Sequence, residues 1–382
     1  MPREVVVPLD SRPDFAEAWE ASEPFMECSF FTSAVWIRTW ADLLPDRRRA
    51  WLFETGDAPE VQAMGLLVQS TDWIGRIFPI RRFWLHATGR PPLDDLTVEF
   101  NGLPSRSALH CGAEDSLLAA LEQRPAKWDQ LMIPHSVHAG RWMAAAESRG
   151  YTVRSSPHDC YHVDLEAIRC AGRDYQSGLA KKTRYLLRRS RREIEAEYGP
   201  IVVQVAESVE AAEAYFQRLS SLHQQHWNGR GRSGAFADAT IARFHRSLLR
   251  ASTGLACCKL LRVHAGTVDV GYLYLFLWRR VAYFYQSGFN YEGIGRERSP
   301  GYVTIVAALE HLGRSDVSRF EFLAGENLYK SRLATGASQL YSLEIQRPSL
   351  RNRILNFART LRNAILPGGA CARPIETESA AD

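Results

Sequence analysis

The segment Val281–Arg332 constrains the fold of this chain most, because a strand, a glycine-rich turn and a helix start follow one another in it. The aromatic and β-branched run Val281–Tyr285 predicts a strand. A basic, glycine-rich loop, Gly293–Gly301, comes next, and Pro300 suits the first position of a helix, where its missing N–H costs nothing. Unpaired N–H groups and the helix dipole converge at such a helix start. The segment therefore predicts a binding site for an anion.

Polar side chains follow the next strand of this segment. The short strand Phe320–Leu323 leads into Glu326, Asn327, Tyr329 and Lys330. An anion site beside such a cluster suggests transfer of a group carried on a phosphorylated donor. A plain connection is the alternative, because glycine clusters usually mark turns. The residues that we expect around the donor are Tyr285, Arg296, Arg298, Ser299, Gly301 and Tyr302.

Several longer motifs occur in this chain in a familiar order. They are K-K-T-R-Y-L-L-R-R-S-R-R (181–192), L-H-Q-Q-H-W-N-G-R-G-R-S-G-A-F (222–236), Y-F-Y-Q-S-G-F-N (283–290), S-P-G (299–301) and F-E-F-L-A-G-E-N-L-Y-K (320–330). Together they resemble the GNAT-superfamily acyltransferases of the cellulose-biosynthesis CelD/BcsL type, which are relatives of the FemAB aminoacyl transferases. The resemblance spans residues 178–345. Residues 1–170 resemble the family mainly through F-F-T-S-A-V-W-I-R-T-W (30–40).

This resemblance implies tandem GNAT-like domains that use a thioester donor such as acyl-CoA or acetyl-CoA. It also implies an acceptor on a polysaccharide or another cell-envelope precursor. The loop departs from the usual GNAT pyrophosphate signature, Arg/Gln-x-x-Gly-x-Gly/Ala, since Gly293 and Gly295 have no Gln or Arg two or three places before them. Fem-type relatives use aminoacyl-tRNA instead, so both donors stay open.

The two halves of the chain repeat one order of predicted elements. Hairpins at 51–69 and 259–278 are each followed by an aromatic strand, a helix and a short strand. This order predicts an α/β fold with two mixed sheets, each flanked by helices. We place an N-terminal GNAT-like domain at residues 1–172 and a C-terminal acyltransferase domain at 173–346. A basic amphipathic helix and a disordered tail follow at 347–382.

Acyl transfer needs a base for the nucleophile and a proton donor for the leaving group. Glu326 and Tyr329 lie three apart at a predicted helix start, share a face and are candidates for these two roles. Alternatively, Glu326 complements the helix dipole and Tyr329 belongs to the core. His223 is another candidate base because an ordinary imidazole pKa lies near 6.5, although His223 and His226 equally fit a structural role. The residues that we expect to contact the substrate are Trp227, Phe289 and Lys330.

Two helices are predicted to carry concentrated positive charge. The run Lys181–Arg192 has seven cations in 12 residues and no acidic residue before Glu193. A charge run is usually a solvated face, but unrelieved like charge also suits a polyanion such as donor phosphates, tRNA or anionic lipid. The second helix, Pro348–Leu366, predicts contact with an anionic membrane or a partner, or else packing on the second domain. Its apolar face consists of Leu350, Ile354, Phe357, Leu361 and Ile365.

Composition excludes several classes of protein. Forty-seven basic and 43 acidic residues give a net charge of +4, too mild to indicate nucleic acid by itself. Seven scattered cysteines, with no C-x-x-C pair and no H-E-x-x-H, argue against a disulfide framework and a metal enzyme. No apolar run approaches the roughly 20 residues that span a bilayer, and the N-terminus lacks a signal-peptide core. We expect a cytoplasmic protein, peripheral to the inner face of the membrane if it touches lipid.

Three functions stay open at this point. The favoured one is an acyltransferase in which an amine or hydroxyl of the acceptor attacks the donor thioester directly. The second is a Fem-like transferase that draws on charged tRNA through the basic helix. The third is a non-catalytic, GNAT-derived scaffold of an exopolysaccharide machinery. The sequence predicts no oligomeric state.

Overall fold

The computed structural model describes residues 4–57, 60–74, 78–106, 112–124, 127–232, 234–251, 254–325 and 327–365. The strands are β1 (Glu4–Pro8), β2 (Ala50–Asp57), β3 (Glu60–Ile74), β4 (Phe78–Leu85), β5 (Gln130–Ser136), β6 (Thr152–Asp164), β7 (Ile201–Val205), β8 (Cys258–Ala265), β9 (Val268–Trp278), β10 (Val281–Phe289), β11 (Arg319–Ala324) and β12 (Gly336–Gln346). The helices are α1 (Phe15–Ser22), α2 (Ala34–Ala41), α3 (Ala113–Glu122), α4 (Ala139–Glu147), α5 (Leu165–Cys170), α6 (Lys181–Tyr198), α7 (Val209–Asn228), α8 (Ala239–Arg250), α9 (Gly254–Cys257), α10 (Tyr291–Ile294), α11 (Pro300–Leu312), α12 (Leu328–Leu333) and α13 (Leu350–Ile365).

The chain forms two compact units. The first runs up to His158 and takes in the segment from Leu340 onward, and the second is Asp159–Gln339. This division differs from the predicted boundary near residue 172, because the first division falls within β6, between His158 and Asp159. The predicted strand Tyr161–Leu165 covers only the end of β6, and Leu165 already begins α5. The tail predicted to be disordered, Pro367–Asp382, lies outside the described residues.

In the first unit the strand order is β1-β2-β3-β4-β5-β12. Neighbouring strands are antiparallel except for the parallel pair β4 and β5. Helices α3 and α4 cover one face, where Phe83, Leu117 and Trp142 are fully buried in one apolar cluster. Apolar residues at spacings of three and four put one stripe of α3 against this sheet, which explains why the helix forms here.

In the second unit the order is β6-β11-β10-β9-β8-β7, and only β10 and β11 are parallel. Helix α11 packs on one face, and its Ile305 and Leu309 join the rings of Phe284 and Phe320 in the main core. Helices α7 and α8 pack on the other face, where the rings of Phe216, His245 and Tyr274 meet. The predicted mixed α/β fold is confirmed. Each unit contains the expected hairpin, third strand, helix and strand.

Close packing of α7 on β10 depends on a glycine. A Cβ at Gly288 would lie 2.4 Å from the carbonyl oxygen of Leu219 and 3.0 Å from its Cα. Distances below 3.0 Å to backbone atoms cannot be relieved by a rotamer change, so only glycine permits this approach. The close approach places the C-terminal half of α7 directly over the end of β10.

No helix within the described ranges is long and apolar enough to cross a lipid bilayer.

Candidate active site in the second unit

Strands β10 and β11 separate shortly after they meet. They pair at only three positions, and the last pair joins Tyr283 and Glu321. Beyond it, β10 continues to Phe289 and β11 to Ala324 without further pairing to each other, although each stays paired to its other neighbour in the described chain. The separated ends leave backbone groups and side chains of two neighbouring strands facing a gap, which is where an extended substrate can lie.

Both strands are irregular just past the last pair. The register of β10 shifts between Phe284 and Gln286, and that of β11 shifts between Glu321 and Ala324. Leu323 has a φ of 64°, a left-handed conformation that a leucine adopts only under local constraint. Bulges bend a strand and redirect its side chains, so these irregularities explain why the two strands part.

Strand β10 carries buried polar side-chain atoms that have no partner among the described residues. Gln286 Oε1 and Ser287 Oγ on β10 are buried, and no described residue hydrogen-bonds to them. A buried polar group without a partner costs about 1–3 kcal/mol. Such atoms beside a gap therefore favour a polar ligand there.

The N-terminus of α11 lies at the end of the segment that follows β10. Ser299 precedes it with a φ of 45° and makes no side-chain capping hydrogen bond. The backbone N–H groups of Gly301 and Tyr302 have no acceptor among the described residues. Open N–H groups at the start of a 13-residue helix attract an anion through direct hydrogen bonds and the helix dipole.

A pocket lies between α7 and the turn after β10, with about 290 Å³ of empty space that includes open solvent. Arg296 lines it and stacks 5.0 Å over the Tyr291 ring. Phe289 also lines it and lies so close to Gly301 that a Cβ there would come within 3.1 Å of the Phe289 ring. The other lining residues are Leu222, Gln225, His226, Asn290, Tyr291 and Glu292.

His226 is a pocket residue with unused hydrogen-bonding capacity within the described residues. Its side chain is buried, and neither ring nitrogen has a partner within the described ranges. Burial, with Arg230 and Arg296 nearby, lowers the pKa of His226 to about 4. The imidazole is therefore neutral near pH 7 and offers one N–H donor and one acceptor to a ligand.

His223, the predicted base, is held on both sides of its ring. Nδ1 lies 3.0 Å from the carbonyl oxygen of Ser287, and the N–H of Ala235 donates to Nε2 at 3.3 Å. This pattern requires the proton on Nδ1 and uses both nitrogens to tie α7 to β10 and to the following loop. The catalytic role of His223 stays a prediction, and these contacts favour a positioning role.

Glu321 is a carboxylate that the sequence prediction overlooked. It is 2% exposed, Arg319 donates a hydrogen bond to Oε1, and Oε2 has no partner in the described structure. Burial raises the pKa of Glu321, and Arg319 opposes that shift only in part. Its cross-strand neighbours are Tyr283 and His162, so these three side chains share one face of the sheet. A charged residue between two phenylalanines, F-E-F, was the available signal.

The other predicted catalytic residues fall partly outside the structure. Glu326 lies outside the described residues. Tyr329 is fully buried on α12, with its ring 6.0 Å from that of Phe322. Since Phe322 and Glu321 are adjacent on a strand, their side chains point to opposite faces. Tyr329 and Glu321 therefore lie on opposite faces of the sheet, beside the gap.

Two of the remaining predicted site residues, Lys330 and Arg298, make contacts within the protein. Lys330 is buried and donates to the carbonyls of Leu323 and Ala324 at 3.3 and 2.8 Å, so it holds the end of β11. Arg298 pairs with Glu197 of α6 at 2.7 Å.

Of three aromatic residues predicted to contact the donor or the substrate, one lies beside the pocket and two pack elsewhere. Trp227 packs edge-on against His226 at 5.7 Å, beside the pocket. Tyr285 instead packs with His245 and Phe276 on the α8 side of the sheet. Tyr302 packs against the main core of the unit.

In the first unit, a residue of the chain itself fills the gap between the corresponding parallel strands, β4 and β5. Strands β4 and β5 pair only from Arg82–Gln130 to Trp84–Met132. Asn101 then bridges them, since its Nδ2 donates to the Leu85 carbonyl at 3.0 Å and its backbone N–H donates to the His135 carbonyl at 3.0 Å. Among the described residues, an open gap of this kind therefore belongs to the second unit.

Residues 181–331 match the model of a family described as an acetyltransferase (GNAT) domain. The second unit carries a GNAT acetyltransferase domain. The match contains α6, the parted strands and the N-terminus of α11. The predicted relation to GNAT enzymes is thereby confirmed, whereas the narrower CelD/BcsL type stays a prediction. No curated protein matches the chain.

Three solved structures show which fold the chain shares. It is similar to FemX at 9% identity, over 90% of this chain and 98% of that chain, with a TM-score of 0.57. It is similar to L-PGS from Bacillus licheniformis at 11% identity, over 92% and 96%, with a TM-score of 0.51. It is also similar to a conserved protein of unknown function from Bacteroides thetaiotaomicron at 9% identity. That match covers 91% of this chain and 100% of that chain, with a TM-score of 0.52. At these identities the likeness is one of fold.

Proposed function

We propose that this protein is an acyltransferase whose donor, an acyl-CoA such as acetyl-CoA, lies in the gap between β10 and β11. The observation that carries the proposal is the combination of the parted strands with the open N–H groups of Gly301 and Tyr302. These hydrogen-bond donors fit the diphosphate of such a molecule, because the two backbone amides and the Arg296 guanidinium supply hydrogen bonds and positive charge. The pocket beside Phe289 gives the rest of the donor room to enter.

The proposed chemistry uses the two faces of the gap. An amine or hydroxyl of the acceptor approaches from the face of Glu321, and the Glu321 carboxylate takes its proton as the new bond to the acyl carbon forms. The carbon–sulfur bond breaks, and the Tyr329 hydroxyl gives its proton to the departing thiolate. The proton held on Glu321 then returns through solvent to the Tyr329 oxygen, so both groups are restored. A buried carboxylate with a raised pKa suits this task, because it binds a proton more readily than an exposed one.

The acceptor class that we propose is a polysaccharide or other cell-envelope precursor, and its support is the resemblance of the second-half motifs to the CelD/BcsL type. Glu326 and His223 stay alternative bases in this proposal, and Lys330 and Trp227 stay proposed substrate contacts.

Donor binding is tested by calorimetry with acetyl-CoA and longer acyl-CoAs. Arg296→Glu should weaken donor affinity by on the order of tenfold or more, because a charge-assisted contact becomes a repulsion. Arg314→Glu is the matched control, since Arg314 is exposed past the opposite end of α11. Equal affinities in the wild-type and Arg296→Glu proteins would remove the phosphate assignment.

Two carboxamide variants then identify the base. Glu321→Gln should lower turnover by on the order of 100-fold, with unchanged donor affinity. Glu326→Gln should leave turnover nearly unchanged if Glu321 is the base. The reverse result would restore the base predicted from the sequence.

A second candidate is a Fem-like transferase that uses aminoacyl-tRNA, and helix α6 is the observation that favours it. Leu187, Ser190 and Ile194 bury one side of α6. On the other side, Arg188 and Arg192 are exposed without an ion pair in the described structure, and Tyr185 is 64% exposed. An aromatic ring among unpaired cations suits RNA.

Charge reversal on α6 separates the two donors. Arg188→Glu with Arg192→Glu should weaken tRNA binding steeply at low salt if charged tRNA is the donor. The same changes should leave acyl-CoA affinity within about twofold, because neither residue lines the pocket. A folded protein that binds neither donor would point to the non-catalytic scaffold.

A further inference from the structure

The helix α13 is attached to the first unit through its polar side. Asn352 is 3% exposed and donates to the carbonyls of Asp129 and Arg347, both at 2.8 Å. Its Oδ1 accepts from Gln130 Nε2 at 2.9 Å. One turn and two turns on, Asn356 bonds to Gln346 at 2.8 Å and Arg359 to Glu344 at 2.8 Å. The helix therefore belongs to the first unit of the structure, and its partners Gln346 and Glu344 lie at the end of the segment predicted as the second domain.

The apolar side of α13 faces solvent. Leu350, Phe357 and Leu361 are 72%, 66% and 45% exposed. At 3.6 residues per turn these three lie within about 40° of one another, whereas Asn352 and Arg359 lie on the opposite side. A surface helix normally turns its apolar stripe toward the core. This helix does the reverse, so its stripe (Leu350, Phe357 and Leu361) is available to something outside the described chain.

The charge around the stripe has a single sign. Residues Leu350–Ile365 contain four arginines and no acidic residue. Asp129 and Glu344 of the first unit neutralise Arg351 and Arg359 on the packed side, at 3.6 and 2.8 Å. Arg353 is exposed next to the stripe and makes no ion pair with a described residue. The outward surface is therefore apolar with a basic margin, which complements an anionic surface.

A second copy of the chain fits this surface poorly. A stable protein interface engages about 20–30 residues a side, far more than the stripe offers. A symmetric dimer through the stripe would also bring Arg353 of both copies together, because such an interface sets the same patch against itself. A lipid surface needs neither a large area nor a complementary shape.

We propose that α13 docks the protein onto an anionic membrane surface. The stripe enters the boundary between headgroups and acyl chains, and Arg353 meets lipid phosphates. Because Asn352, Asn356 and Arg359 already hold the helix in place, binding needs no folding of the helix. The proposal is independent of the transferase chemistry.

Sedimentation with vesicles tests this proposal on the full-length protein. Vesicles of equal parts phosphatidylcholine and phosphatidylglycerol should pull the protein down, and vesicles of phosphatidylcholine alone should not. The double variant Phe357→Ser, Leu361→Ser should lower the partition coefficient by on the order of 100-fold, from the lost apolar burial. Phe25→Ser is the matched control, since Phe25 is 63% exposed elsewhere in the same unit and should leave binding unchanged.

Each other outcome counts against the proposal. Absence of sedimentation, or equal binding to both kinds of vesicle, overturns it. A wild-type dimer that the double variant converts to monomer in light scattering assigns the stripe to a second copy. A large fall in the melting temperature of the double variant means that the chain itself covers the stripe, whereas an unchanged melting temperature is required for an exposed one.

Discussion

His245 offers a sharp test of the packing on the α8 face of the second unit. Its side chain is fully buried, and neither ring nitrogen has a hydrogen-bond partner within the described residues. The rings of Phe216, Phe236, Phe244, Tyr274 and Tyr285 surround it at centroid distances of 5.1–5.7 Å. Burial lowers the pKa of His245 to about 3. The folded protein therefore keeps this imidazole neutral.

The sign of the pH effect follows from that lowered pKa. The unfolded chain protonates His245 near its ordinary pKa of about 6.5, whereas the fold resists protonation until about pH 3. The contribution to stability is complete above pH 6.5 and is lost as the pH falls through this window. Between pH 7.5 and pH 5 the loss from this one residue is about 2 kcal/mol, at about 1.4 kcal/mol per pH unit below 6.5.

Substitution by phenylalanine should remove this dependence. We expect His245→Phe to unfold at higher urea than the wild type at pH 7.5, because buried nitrogens without partners cost about 1–3 kcal/mol. The advantage should grow by about 2 kcal/mol at pH 5. His245→Leu serves as a second variant in case the larger ring does not fit. A gap between wild type and both variants that is the same at the two pH values would refute a buried, neutral His245.

Three further predictions concern packing. Asn101→Ala should cost about 2–4 kcal/mol in urea unfolding, because it strands the Leu85 carbonyl and the ring of His86, which lies 2.8 Å from Asn101 Oδ1; a cost below about 1 kcal/mol would contradict the bridge. Gly288→Ala should lower the melting temperature, because its Cβ meets the backbone of α7, and overpacking costs about 1–3 kcal/mol. Gly140→Ala, with nothing within 4 Å of its Cβ on α4, should instead raise stability by up to about 1 kcal/mol, and a loss would count against the described packing of α4.

The sequence predicted those parts of the site that depend on local pattern. The strand Val281–Tyr285 and the helix start at Pro300 are present because β-branched and aromatic residues, glycines and a proline act within a few positions of themselves. The parting of β10 from β11 was not predictable in this way, since it depends on the register between strands about 40 residues apart and on two bulges. Register is a property of pairs, and a single sequence does not display it.

The sequence drew attention to Glu326 rather than to Glu321 for a related reason. Next to a glycine and ahead of a helix, it had the local setting of a functional residue. Glu321 looked like part of a strand, and only the tertiary structure shows that its carboxylate is buried without a full set of partners. The apolar stripe of the C-terminal helix was likewise visible as a period. Which side faces the protein depended on Asp129 and Gln130, far away in sequence.

The bridge made by Asn101 implies that the stabilities of the two units respond differently to ligand. A gap that an amide of the chain itself closes is complete without any ligand, so the stability of the first unit is independent of substrate concentration. The open gap between β10 and β11 leaves the second unit with hydrogen bonds still to be made. Its resistance to unfolding and to amide exchange should rise with ligand concentration as RT ln(1 + [L]/Kd). Two units with the same order of elements would then differ in one respect: the stability of the first would be constant, and the stability of the second would rise with the concentration of its ligand.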